Sequence, residues 1–208
     1  MTEAARSSLL KNALVDAGME PLDNTQIANF DQYLELLLKW NSKFNLTAIR
    51  DPGSIVLDHF VDCIACARAL PAGIGSVLDL GSGAGFPGIP IAICQPGLAV
   101  TLAESQVKKA GFLNEVVRTL GIRVSVFAGR AQSMSQTFDC VVMRAVDRME
   151  DAVQVAIPIV SAGGFLVVMT TEEGAQGIKA AAGQSIRWQS PVKLRHSVQR
   201  ILLIGSRN

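Results

Sequence analysis

Apolar residues recur at three- and four-residue steps near the start of the chain, most clearly at Ile27, Phe30, Leu34, Leu37 and Leu38. That period predicts helices over 4–17 and 24–39, with Asn24 as N-cap of the second. After Trp40 the period is lost. The segment NSKFNLTAIRDPG fills with Asn, Ser, Thr, Asp, Pro and Gly, the composition of an ordered loop, before a third helix from about Ser54 to Leu70. From Ser76 the texture changes to short apolar runs with strand character at 77–80, 99–104, 123–128, 138–144 and 164–170. Helical stretches at 87–94, 107–120, 149–157 and 173–182 separate them. Such alternation predicts a parallel sheet with helices on both faces. The last two runs, SIRWQSPVKLRH and QRILLIG, have no helix between them and predict an antiparallel hairpin at the end of the sheet. The expected organisation is an N-terminal helical extension, 1–70, ahead of an α/β domain, 71–208.

Composition narrows the class. With 208 residues, 49% of them apolar, the chain can fill one core and an appendage. No apolar run approaches the roughly 18 residues of a membrane span, and the polar, acidic N-terminus does not read as a signal peptide. A cytoplasmic protein is the expectation. Cys63 and Cys66 form a CxxC, but no second pair and no histidine partner set accompany it, so the expectation is packed thiols and no metal. Net charge is +1, which argues against indiscriminate nucleic-acid binding. Its distribution is uneven: Lys and Arg against Asp and Glu number 6 to 9 in residues 1–70 and 8 to 5 in residues 141–208. That leaves room for a local phosphate-binding strip.

The stretch VLDLGSGAGFPGIPIAIC, Val77 to Cys94, carries the clearest chemistry. Gly81, Gly83 and Gly85 fall between a buried strand and a helix, where a backbone without Cβ atoms permits a tight turn and close approach of a ligand. Glu104 ends the following strand, where nucleotide-binding α/β folds place a carboxylate on ribose hydroxyls. A dinucleotide needs N–H donors at the helix start for its pyrophosphate, and Pro87 and Pro90 remove two of them. S-adenosylmethionine has no phosphate, so the prolines favour it.

This loop, together with KWNSKFNLTAIRDP (39–52), HFVDCIA (59–65), KKAGFLNEV (108–116) and MRAV (143–146), resembles the bacterial small-subunit ribosomal RNA guanine-N7 methyltransferase family, known as RsmG or glucose-inhibited division protein B. The resemblance spans nearly the whole chain and is least distinctive in the last forty residues. It implies a Rossmann-like class I methyltransferase fold, a mostly parallel seven-stranded sheet with a C-terminal antiparallel hairpin. The implied activity is methyl transfer from S-adenosylmethionine to N7 of a guanine in 16S rRNA, with the small ribosomal subunit as partner and a monomer as the default state. Carried over by residue, it implies that Gly81, Gly83, Phe86 and Glu104 bind the cofactor, with Ala131 and Gln132 in an adenine-binding turn. Arg144 would hold the cofactor carboxylate, an RNA phosphate or the face of guanine. On the substrate side it points to Asn45, Arg50, His59 and Lys109, with Thr47 and Asp62 part of the same pattern. His59 either touches RNA or is held by backbone.

Guanine N7 already carries an in-plane lone pair, so no catalytic base is assigned. Candidate phosphate contacts are Lys39, Lys43, Lys108, Lys109, Arg148, Arg195 and Arg200. One departure concerns Thr170 and Thr171, which stand where family members often have Lys-Gly; the role of that lysine is then lost or moved to Lys179. Two other classes remain open at this stage: an NAD-dependent oxidoreductase, and a non-catalytic ribosome assembly factor on the same fold.

Overall fold

The computed structural model describes residues 2–194 and 199–208, so the candidate Arg195 lies outside the described residues. The chain begins with α1 (Glu3–Asp16) and α2 (Asn24–Phe44). A continuous helical path follows: α3 (Pro52–Ile55), a π-helical turn (Val56–Val61) and α4 (Asp62–Ala69). Then come β1 (Ser76–Leu80), α5 (Gly88–Cys94), β2 (Ala99–Ala103), α6 (Val107–Leu120), β3 (Val124–Phe127) and β4 (Phe138–Arg144). The remainder is α7 (Met149–Ala156), β5 (Val160–Thr171), α8 (Gly174–Ala182), β6 (Ile186–Trp188), β7 (Val192–Lys193) and β8 (Arg200–Arg207).

Two local expectations are corrected. The N-cap of α2 is Asp23, not Asn24: its carboxylate accepts from Gln26 N–H while the Gln26 side chain accepts from Asp23 N–H. The helix also runs on to Phe44 through residues that read as loop. Tertiary contacts hold that extra turn, because Trp40 packs on Phe112 and donates Nε1 to Glu115 of α6. Asn41, buried, then organises the following loop by donating to Ile49 O and accepting from Thr47 N–H.

The strands lie in the order β3-β2-β1-β4-β5-β8-β6, with β1 to β5 parallel and β8 antiparallel to β5. Both β6 and β7 pair with β8, so the expected edge strand of the hairpin is present but broken. The break falls at Ser190 and Pro191, where proline has no N–H to give to a ladder. Alternation along each strand divides the core between two faces. Val77, Val100, Leu102, Val142 and Val167 face the N-terminal helices, α5 and α6. Leu78, Leu80, Val141, Met143, Leu166 and Val168 face α7 and α8. The N-terminal helices therefore share one hydrophobic core with the first face of the sheet. Cys63, Cys66 and Cys140 are buried free thiols in that core, and desolvation pushes the thiols of Cys63 and Cys140 up to about 12.

Close packing of α5 on β1 and β2 depends on Gly88, where a Cβ would lie 2.3 Å from Leu102 Cδ2 and 2.8 Å from Asp79 Cβ. We expect Gly88→Ala to destabilise the fold by about 2 kcal/mol or more through overpacking, read as a lower urea midpoint with the slope unchanged.

Candidate functional site

Residues 81–87 turn the chain from β1 into α5, and nearly every N–H of the turn is committed inside the protein. Gly81 and Ser82 donate to Ala103 O, while Gly85 and Phe86 donate to Ser82 O. Gly83 N–H donates to Glu104 Oε2 at 2.9 Å, and Gly88 N–H to Asp79 Oδ2 at 2.9 Å. Ile89 N–H returns to Gly85 O, so with Pro87 and Pro90 the first turn of α5 has no donor to offer a phosphate.

The glycines divide between two tasks. Gly85, at φ +97°, faces inward: a Cβ there would lie 2.8 Å from Tyr33 Oη and 2.7 Å from Ile89 Cγ1. Tyr33, fully buried in α2, donates its hydroxyl to Ala84 O at 2.5 Å and so pins the loop to the N-terminal helices. Gly81, at φ +75°, instead lies beside Val146 at the mouth of two clefts.

These clefts, of about 340 Å³ and 330 Å³, meet at Gly81, Glu104, Val146 and Asp147. The first is walled by the glycine loop through Ala84, by Phe86, Thr47, His59 and Lys109, and by Arg144 and Ala145. The second is walled by Ala103, Gly129, Arg130, Gln132, Arg148 and Ala152. Ala131 is buried behind it in a 3₁₀ turn, Ala131–Ser133. Glu104 is itself buried, and each of its oxygens already accepts one backbone N–H, from Gly83 and from Gln106. A carboxylate oxygen carries two acceptor positions, so both remain able to take a hydroxyl.

Arg144, at the carboxyl end of β4 and in the wall of the first cleft, spends three of its N–H donors on groups of the helical segment 58–63. Nη1 donates to Cys63 Sγ at 3.3 Å, and Nη2 to Asp58 O at 2.6 Å and to His59 Nδ1 at 3.0 Å. Asp62 Oδ2, fully buried, lies 3.8 Å from Arg144 and 2.7 Å from Arg200 Nη1. Ala145 follows at φ +48°, a left-handed conformation that a non-glycine residue adopts at a cost of order 1 kcal/mol. A third cleft, of about 350 Å³, opens on the far side of Arg144 and Ala145, lined also by Met149, Met169, Thr170, Thr171, Leu194 and Arg200.

A guanidinium only donates, so His59 Nδ1 accepts from Arg144 and its proton sits on Nε2, aimed at Thr47 Oγ1 3.1 Å away. Desolvation and the Arg144 charge lower the His59 pKa to about 4. Asp79 behaves in the opposite sense: burial raises its carboxyl to about 7, against the lowering by its bonds from Gly88 and Ser82.

Of the residues expected at the site, Gly81, Gly83, Phe86, Glu104, Arg144, His59 and Lys109 share the first cleft, and Gln132 lines the second. Asn45 and Arg50 do not join them; they are exposed and bond to each other. Lys179 is also elsewhere, in a cleft with Lys193 and Ile201, not beside Thr170 and Thr171. Among the phosphate candidates, Lys108 lies over the Phe44 ring, Arg148 pairs with Asp151, and Arg200 bonds Asp58 and Asp62. Sequence reasoning did not single out Tyr33, Asp79 or the Ala145–Asp147 wall. Asp79 had a signal in its place, an acidic residue inside an apolar strand; Tyr33 had none.

The chain matches the family described as rRNA small subunit methyltransferase G over residues 26–200. It is 38% identical over 179 residues to "Ribosomal RNA small subunit methyltransferase G" of Listeria welshimeri, covering 82% of this chain and 75% of that one. The protein of that name in Xylella fastidiosa is 40% identical over 190 residues, covering 90% and 86%. Among solved structures, the ribosomal protein L11 methylase of Lactobacillus delbrueckii subsp. bulgaricus superposes with TM-score 0.59 at 15% identity, over 72% of this chain and 78% of that one. TYW2 of M. jannaschii, solved in complex with AdoMet, superposes with TM-score 0.57 at 14% identity, over 70% and 73%.

The two buried titrating groups give opposite pH dependences. Unfolded His59 takes up a proton near 6.5 while the folded residue stays neutral down to about 4, so stability falls as pH drops through that window. Folded Asp79 keeps its proton up to about 7 while the unfolded carboxyl loses it near 3.8, so stability falls as pH rises through that one. Each contribution is of order 3 kcal/mol. Urea unfolding across about pH 4 to 8 should show His59→Gln removing the loss on the acid side and Asp79→Asn removing the loss on the alkaline side.

Proposed function

Because the chain belongs to the rRNA small subunit methyltransferase G family, we propose that it transfers a methyl group from S-adenosylmethionine to N7 of a guanine in 16S rRNA. The observation that carries the reading is the two-lobed cleft around a buried carboxylate, next to a helix start whose donors are spent. That arrangement suits an adenosyl group with a ribose and no phosphate. It disfavours a dinucleotide, whose pyrophosphate would find the N–H groups of Gly88 and Ile89 already bonded.

The cofactor fits the residues present. Gly81 leaves the floor bare where the two clefts meet, Glu104 lies at their junction for the ribose hydroxyls, and the Gln132 turn borders the lobe left for adenine. The amino-acid end then occupies the first cleft with Phe86, Thr47 and Lys109. When bound, S-adenosylmethionine supplies a methyl group on positively charged sulfur.

The protein's part is alignment. Guanine N7 presents its lone pair in the ring plane, so no proton has to be removed first, and holding the partners in line lowers the barrier by several kcal/mol. The third cleft, past Arg144 at the carboxyl ends of β4 and β5, is where a flipped guanine would lie. Met149 and Met169 give it apolar walls, and the hydroxyls of Thr170 and Thr171 offer hydrogen bonds in place of the Lys-Gly pair. Arg144, its edge engaged with the π-turn, keeps its planar face for the base.

Methyl transfer from labelled S-adenosylmethionine to small ribosomal subunits lacking guanine-N7 methyl groups should yield labelled 7-methylguanosine by mass spectrometry. A different methylated nucleoside would refute the atom assigned, and cofactor binding without transfer would favour the assembly-factor reading. In the same preparation Tyr33→Phe should weaken S-adenosylmethionine binding about fivefold by releasing the loop, the loss of one buried hydrogen bond, measured by titration calorimetry.

A further inference from the structure

The proton inventory around Thr47 has a directional consequence. Arg144 donates to His59 Nδ1, which leaves His59 Nε2 as a donor to Thr47 Oγ1. Ile49 N–H donates to the same oxygen at 3.2 Å. A hydroxyl oxygen has two lone pairs, and both are now taken. What Thr47 has left is its O–H hydrogen, which meets no acceptor among the described residues, and the side chain lines the first cleft. The backbone cannot turn it elsewhere, because Thr47 N–H is tied to Asn41 Oδ1 at 3.0 Å.

From this geometry, and resting on the cofactor assignment above, we propose that Thr47 is a binding residue whose hydroxyl, locked as a donor by the Arg144–His59 pair, recognises the α-carboxylate of the S-adenosylmethionine amino-acid end. Three features select that acceptor. Lys109 brings a positive charge to the same cleft. Three of the five N–H donors of Arg144 are spent on Cys63, Asp58 and His59, whereas the Thr47 hydrogen is aimed by the bonds its own oxygen accepts. Glu104 and Asp147, the acceptors of the cleft, suit the ribose and the ammonium group and repel a carboxylate. His59 acts on Thr47 and is a positioning residue: as a neutral ring with its proton on Nε2 it denies Thr47 the acceptor role.

The test compares S-adenosylmethionine with decarboxylated S-adenosylmethionine, which lacks only the carboxylate, by calorimetry on the full chain. Wild type should prefer the intact cofactor. Thr47→Val should reduce that preference about tenfold, the scale of one hydrogen bond to a charged group, while Thr47→Ser restores it. If Thr47→Val does not fold, Thr47→Cys, whose thiol is a poor donor, carries the same comparison. Equal weakening of both ligands would reduce Thr47 to a loop-structuring residue and overturn the proposal. So would an unchanged preference with a raised KM for ribosomal subunits, which would turn the hydroxyl toward the base. A wild type that binds neither ligand would instead fail the cofactor assignment. Independently, ¹⁵N–¹H correlation spectra near neutral pH should show His59 with its proton on Nε2; a proton on Nδ1 would break the relay.

Discussion

A guanidinium cannot accept a hydrogen bond, and at Arg144 this one-way chemistry organises the site. Arg144 reaches from the end of β4 to the π-turn and the start of α4, where its donors meet Asp58 O, His59 and Cys63. Arg200, from β8, converges on the same turn through Asp58 and Asp62. Two strands of the sheet thus grip one irregular turn of helix, and π-turns of this kind recur at functional sites. Asp62 is fully buried between them, so removing either arginine would leave a buried charge short of a partner, a loss of order 3–5 kcal/mol. Every polarity downstream follows: His59 must accept at Nδ1 and donate at Nε2.

The glycine loop depends on the N-terminal helices as closely as the π-turn does. Tyr33 stacks near Phe60 and Phe86 and fixes Ala84 O, while Phe86 in turn packs on the His59 ring at 4.6 Å between centroids. Asp79 closes the loop from beneath by accepting from Gly88 N–H. The helical extension is therefore part of the wall that a ligand would meet. Two buried groups near the loop are shifted by desolvation in opposite senses: a histidine that resists protonation and a carboxyl that resists ionisation.

This distribution suits a reaction that needs placement more than proton transfer. Lone-pair attack by an aromatic nitrogen calls for a fixed distance and angle and a dry, shaped cleft. In the first cleft Thr47, His59, Glu104 and Arg144 are each held by hydrogen bonds to neighbouring residues. The cost is paid in backbone strain at Ala145 and in buried charge around Asp62.

Most of the architecture was legible along the chain. Period and alternation located the helices and strands, because burial on one face imposes 3.6 or 2 on any sequence that folds this way. The glycine loop, Glu104 and the two prolines favoured a phosphate-free ligand while leaving a dinucleotide open, since they act through local backbone chemistry that a sequence states directly. Helix α2 ended later than its pattern implied because Trp40 and Asn41 are held by α6 and by the loop at Ile49, contacts remote in sequence. That Asn45 and Arg50 are exposed and bond to each other is a pairing the sequence did not state. Only the folded chain decided which way Arg144 turns its donors, which glycine faces Tyr33 and which faces the cleft, and where the proton on His59 sits. These depend on distances between elements far apart in sequence, and hydrogen-bond direction is fixed only when all the partners are in place.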